Sequence, residues 1–158
     1  MATSNLDQIS AQLESENSKD RMLALAMLRN VESEEAAPLI RKVINDDNLQ
    51  IRSMAVFAMG LKPDEETFDI LAKLVETDPD YGIRADAAGA LGYLEDQRAF
   101  PILVRAFYED TDWLVRFSAA VALGNLKDPR AHDVFIEALK SEEVVIQQAA
   151  IAAIGEVG

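Results

Sequence analysis

The chain contains no cysteine. That removes a disulfide framework, a thiolate metal site, a cysteine nucleophile and any attachment of a cofactor through the chain's own sulfur. Its single histidine, His132, rules out a histidine metal cage, and no metal is expected. Positive charge is scarce: 15 Lys and Arg stand against 28 Asp and Glu, a formal net charge of −13. A nucleic-acid backbone would be repelled, so no nucleic-acid partner is expected. Long apolar runs are also missing. The longest uncharged stretch, Val144 to Gly155, has 12 residues, short of the roughly 20 that a membrane-spanning helix needs. The opening MATSNLDQIS has neither the basic flank nor the apolar run of a secretory signal, so a soluble, cytoplasmic chain without membrane insertion is expected. No Ser-His-Asp set, phosphate loop or HExxH pattern is present. The acidic clusters Asp46-Asp47 and Glu109-Asp110-Thr111-Asp112 lack the spacing of a calcium loop and are expected to be solvated turn residues, with binding of a basic patch on a partner as the alternative.

What the chain does have is a repeat. Its 158 residues are 49% apolar, enough for one continuous core, and residues 1–158 are expected to form a single domain. Arg21, Arg52, Arg84, Arg116 and Gln147 are spaced by 31, 32, 32 and 31 residues. Eight residues after each come Arg29, Gly60, Gly92, Gly124 and Gly155. A period of this length marks stacked supersecondary units, and the boundaries fall near 3–31, 32–62, 63–95, 96–127 and 128–158. Within each unit the apolar spacing is helical twice over, which predicts a two-helix hairpin. First helices are expected near 3–14, 34–45, 65–77, 98–108 and 131–140, amphipathic and outward. Second helices are expected near 18–30, 49–60, 81–93, 113–124 and 143–155, apolar on nearly all sides as befits a helix between neighbours.

The punctuation agrees with these ranges. Four residues before each aligned Arg or Gln stand Asn17, Asn48, Asp80, Asp112 and Glu143, four strong N-caps and a weaker one. Pro63, Pro79 and Pro129 fall between helices, and Pro38 and Pro101 are expected in first turns. Three residues after the aligned position every repeat carries alanine: Ala24, Ala55, Ala87, Ala119 and Ala150. Seven after it come Leu28, Met59, Leu91, Leu123 and Ile154. Small residues let helix axes approach and the aliphatic ones form a core layer, so the predicted fold is an all-α solenoid of about five hairpins.

The segments Gly82 to Asp96 and Leu114 to Asp128 carry the signature x-(Val/Ile)-Arg-x-x-Ala-x-x-Ala-Leu-Gly-x-Leu-x-Asp. This pattern resembles the short HEAT-like repeat named after phycobilisome lyases, and the resemblance covers essentially the whole chain. Families sharing it include the E/F-type bilin lyases, the phycobilisome degradation protein and general scaffolds. The resemblance implies an accessory protein that binds phycobiliproteins or their linear tetrapyrrole and assists chromophore attachment, detachment or phycobilisome turnover in cyanobacteria. It implies a transient bilin of the phycocyanobilin type as ligand, none held covalently, and phycobiliprotein subunits as partners. The alternative is a scaffold without catalysis that binds another protein, for example in cofactor assembly, and whether any reaction is catalysed stays open between the two.

Candidate site residues follow from what varies between repeats. Arg21, Arg52, Arg84 and Arg116 are constant; they could grip propionates, but the stronger reading is a ladder of hydrogen bonds and ion pairs between repeats. Positions one, two, five and nine residues after the arginine change from repeat to repeat and share a face. On it lie Phe57, Asp86, Tyr93 and Phe117, with Tyr81 and Trp113 at matching helix starts. An aromatic groove with one carboxylate suits a flat conjugated ligand or a partner helix. Asp86 is the candidate for hydrogen bonding to pyrrole nitrogens or for proton transfer; otherwise it is a solvated helix residue. His132, on an outer helix between Arg130 and Asp133, is expected to be solvated. Finally, Val144 to Ile154 would leave an apolar flank open at the C-terminal end, which predicts a further repeat or a docked partner there.

Overall fold

The helix starts follow from side chains that satisfy the first free backbone N–H groups. Asn17 accepts from Lys19 N, Asn48 and Asp80 accept from Ile51 N and Ile83 N, and Asp112 accepts from Leu114 N. A computed structural model describes residues 2–157, with side chains described for 5–155; Met1 and Gly158, the last residue of the expected fifth repeat, lie outside the described residues. First helices are α1 (Ala2–Gln12), α3 (Ser33–Arg41), α5 (Thr67–Thr77), α7 (Ala99–Glu109) and α9 (Arg130–Leu139). Second helices are α2 (Ser18–Met27), α4 (Leu49–Leu61), α6 (Tyr81–Leu94), α8 (Trp113–Asn125) and α10 (Val144–Val157). No strand occurs among the described residues, and the fold class is the all-α solenoid type.

Two details differ from the sequence reading. Helix α2 stops at Met27 and closes in a 3-10 turn, Leu28–Asn30, at the one aligned position where Arg29 replaces glycine. Pro38 lies beyond the first turn of α3, whose α-helical run ends at Arg41 rather than near 45.

The chain divides into two compact units, residues 1–67 and 68–158. In the first, α1 packs on α2, α3 on α4, and α2 on α4. In the second, α8 is central: it packs on α6, α7 and α10, while α9 packs on α10. Second helices are thus layered on second helices, which explains their weak amphipathicity. The aligned alanines are all fully buried, Ala24 and Ala55 in one unit and Ala87, Ala119 and Ala150 in the other. Leu28 and Met59, then Leu91 and Leu123, bury completely beside them, each contributing about 1.5–3 kcal/mol of apolar transfer.

Close approach of axes is tightest at Gly92. A Cβ built there would stand 3.0 Å from both the Cα and the Cβ of Ala122, so only glycine fits α6 against α8 at this level. Helix α6 then ends with Glu95 in the left-handed region (φ 53°), and Lys127, one repeat further on, does the same (φ 59°).

Candidate functional site

The constant arginines sit at the turn end of the hairpins and are committed to the fold around them. Arg21 forks onto Asp46, with Nε 2.8 Å from Oδ2 and Nη2 3.0 Å from Oδ1. Its Nη1 donates to the Ser15 carbonyl at 2.8 Å. Arg84 repeats this in the second unit: Nε and Nη2 donate to Asp110 at 3.0 and 3.3 Å, and Nη1 donates to the Asp78 carbonyl at 3.0 Å. Arg116 donates to the Asp110 carbonyl, and Gln147 to the Ser141 carbonyl at 2.6 Å. In all four cases the acceptor lies six residues upstream. Arg52 donates to the Ile44 carbonyl at 2.9 Å. Because a neutral glutamine meets the same acceptor, what the position requires is a donor for a turn carbonyl, with charge added where a carboxylate faces it.

That geometry corrects the reading of the acidic clusters as solvated. Asp46 and Asp110 have side chains only 8% and 10% exposed. Each accepts from the N–H of the cap residue two positions on, Asn48 and Asp112, at 2.9 Å. Asp78 does the same for Asp80, and Ser15 and Ser141 use their hydroxyls for Asn17 and Glu143. Asp47, in contrast, is almost fully exposed. Burial by itself would raise the Asp46 carboxyl, but hydrogen bonds from Arg21 and the Asn48 N–H outweigh it and hold the group below the usual carboxylate range. Asp64 is balanced the same way by Arg41 and the Glu66 N–H. The signal that could have revealed these acids was their own period: Asp46, Asp78 and Asp110 recur at 32 residues.

The variable face carries the candidate binding residues, and each unit is described by itself. In the second unit α6 presents Tyr81, Asp86, Gly89 and Tyr93, and α8 presents Trp113, Phe117, Val121 and Asn125. Tyr93, Phe117, Ser118, Val121 and Asn125 line a cleft of about 320 Å³ whose α6 wall includes Gly89. A Cβ at Gly89 would meet nothing within 4 Å, so the absent side chain leaves the cleft open. Trp113 stacks on Phe117 with ring centroids 5.1 Å apart and planes within 6°, a flat aromatic platform at one end. Tyr81 and Tyr93 are half exposed at 52% each. Asp86 is part-buried, one turn before Gly89 and two before Tyr93 on the same helix. In the first unit Phe57 is exposed and lines a smaller apolar cleft of about 180 Å³ with Leu25, Met54, Leu61 and Lys62.

The other candidates carry less chemistry. A larger cleft of about 470 Å³ lies between α5 and α7, but its arginines are engaged: Arg105 with Glu76 at 2.9 Å and Arg84 with Asp110. His132 is exposed on α9. Among the described residues no group of His, Asp and Glu could hold a metal ion, and no helix is long and apolar enough to cross a membrane.

Residues 6–92 and 69–155 match the family model of HEAT repeats. No curated protein matches the chain in sequence. Among solved structures, the fold is similar to that of a chain in the complex of CpcE and CpcF of phycocyanin lyase from Nostoc sp. PCC7120. The TM-score is 0.74 at 21% identity, covering 96% of this chain and 99% of that one. It is also similar to an engineered protein, with a TM-score of 0.59 at 19% identity over 97% of this chain and 79% of that one.

Proposed function

The chain belongs to the HEAT-repeat family, and from that premise we propose that it is an accessory protein of cyanobacterial light harvesting. It recognises phycobiliproteins, or the linear tetrapyrrole they carry, on the aromatic face of its second helices and assists chromophore attachment, detachment or phycobilisome turnover. One observation carries the reading: the stacked Trp113–Phe117 pair beside an open cleft. A planar conjugated ligand gains most from such a platform, because offset stacking adds to the burial of its faces. Support also comes from the likeness in fold to a chain of a phycocyanin lyase complex and from the repeat signature at Gly82 to Asp96 and Leu114 to Asp128.

In this reading Tyr93, Phe117 and Trp113 hold the flat faces of the bilin or of the subunit helix bearing it, with Tyr81 at the start of α6, while in the first unit Phe57 lines a cleft of its own. Asp86 supplies a carboxylate to pyrrole N–H groups and is the candidate for moving a proton. With no cysteine of its own, the chain contributes positioning, and the sulfur that carries the bilin belongs to the phycobiliprotein. Work of this kind places it in the cytoplasm with a phycobiliprotein subunit as partner.

The test mixes the purified chain with a chromophorylated phycobiliprotein, and separately with free bilin, following visible absorbance and fluorescence. A time-dependent spectral shift is expected. It should weaken in Asp86→Ala and in Gly89→Leu, which fills the cleft where nothing lies within 4 Å. Unchanged spectra in both mixtures would transfer the same face to a protein-binding scaffold without chemistry.

A further inference from the structure

The first unit departs from the repeat at two positions, and both line the same cleft. Where Arg29 stands, the four later repeats have Gly60, Gly92, Gly124 and Gly155. Where Lys62 stands, the other repeats have Val31, Leu94, Leu126 and Val157. Each departure puts a cation in place of an uncharged residue. The glycine register is where second helices close on each other, as at Gly92, where an added Cβ would stand 3.0 Å from Ala122. Its counterparts in the first unit are Arg29 and Ala58, which both line the cleft, and α2 gives way there to the 3-10 turn Leu28–Asn30. An arginine cannot enter a gap that has no room for a methyl. The ends of α2 and α4 therefore stand apart and leave an apolar space of about 180 Å³.

Leu25, Leu28 and Ile40 form its buried floor, and Met54, Phe57 and Leu61 of α4 form a wall. No Asp or Glu lines it, in a chain that has 28 of them. Elsewhere in this unit cations meet carboxylates: Arg21 holds Asp46, Arg41 holds Asp64 and Lys42 holds Glu14. Among the described residues no carboxylate pairs with Arg29, which is exposed, or with Lys62, which is part-buried. We propose that this cleft binds a small amphiphilic carboxylate. Its apolar body, of about six to eight carbons, occupies the space between α2 and α4, since an apolar cavity of about 150 Å³ takes a benzene-sized molecule. Its head group meets Arg29 and Lys62 through charge-assisted hydrogen bonds. A volume of this size holds one short chain and has no room for the row of side chains that a docking helix presents. The sign of the head group is set locally, because the overall charge of −13 favours a cationic amphiphile while the cleft offers it two cations and no acid.

The experiment titrates octanoate into the full chain, with octanol and octylammonium as the uncharged and oppositely charged controls, and follows the Met54 methyl resonance. A saturable shift with octanoate is expected, with affinity at least about tenfold weaker for octanol and weaker again for octylammonium. Arg29→Gln and Lys62→Gln should each weaken octanoate at least about threefold and leave octanol unchanged. Ala58→Leu, which fills the cleft, should remove the binding of both, with circular dichroism checking that each variant is folded. Should Ala58→Leu fail to fold, the two charge variants carry the test. Equal affinity for octanoate and octylammonium overturns the proposal. So does an unmoved Met54 resonance, or octanoate affinity indifferent to both charge variants. No bilin enters these measurements, so their outcome is independent of the function proposed above.

Discussion

Two glycines on one helix show how differently a residue type can be used. At Gly89 an added methyl meets open space, whereas at Gly92 it meets the Ala122 backbone at 3.0 Å. Gly89→Ala should therefore raise stability by about 0.5–1 kcal/mol through helix propensity. Gly92→Ala should lower it by about 1–3 kcal/mol through overpacking. Urea titration of the two variants, followed by far-ultraviolet circular dichroism, would separate them by sign. Arg84 holds a carboxylate and a turn carbonyl at once, so Arg84→Ala is expected to cost about 2 kcal/mol. Arg84→Lys should recover only part of this, since an ammonium cannot fork. Both variants should leave any spectral response to bilin unchanged when measured well below their melting temperatures. At Asp46 the folded-state carboxyl titrates below its unfolded value. Its contribution is thus complete above about pH 4 and is lost as the pH falls through the folded value. Asp46→Asn should lower the melting temperature at pH 7 and flatten its fall below about pH 4, as scanning calorimetry across that range would show.

At the scale of the helix, starts were easier to read than ends. Asn17, Asn48, Asp80 and Asp112 are short polar residues in front of apolar-periodic runs, and a cap acts within three residues of its own position, so a linear sequence reveals it. Ends depend on whether a left-handed residue can be tolerated and on what the last turn packs against. Thus α6 closes on Glu95 with φ 53° although glutamate pays for that conformation, while α2 narrows into a 3-10 turn at Arg29. Asp112→Ala should cost about 1 kcal/mol. Because Trp113 opens α8, its fluorescence should report fraying of the first turn before the circular dichroism of the whole chain changes.

At the scale of the molecule, charge and repetition set the behaviour. Net charge of −13 makes like-charge repulsion a global destabilising field. The buried pairs at Asp46 and Asp110 are shielded from salt more than exposed charges are. Raising sodium chloride from about 20 to about 200 mM should therefore increase the melting temperature, and a decrease would mean that the ion pairs outweigh the repulsion. The same field accounts for the expectation that a polyanion such as duplex DNA leaves the chain unbound at low salt.

The period of 31 to 32, the aligned alanines and the cap residues determined the class of fold and the place of each helix, because these are local or strictly repeating constraints that one sequence displays in full. The candidate aromatics were legible only as a list of positions on one helical face. Which of them share a cleft was decided in three dimensions: Phe117 lies parallel to Trp113, Gly89 leaves a cleft between α6 and α8 that Tyr93 and Phe117 line, and Phe57 lines a separate cleft of the first unit. The same holds for the acids. Asp46 and Asp47 are adjacent and chemically identical in the sequence, yet one is buried under Arg21 and the other points into water. Only packing assigns that difference, since burial depends on the residue 25 positions away that the turn brings within 2.8 Å.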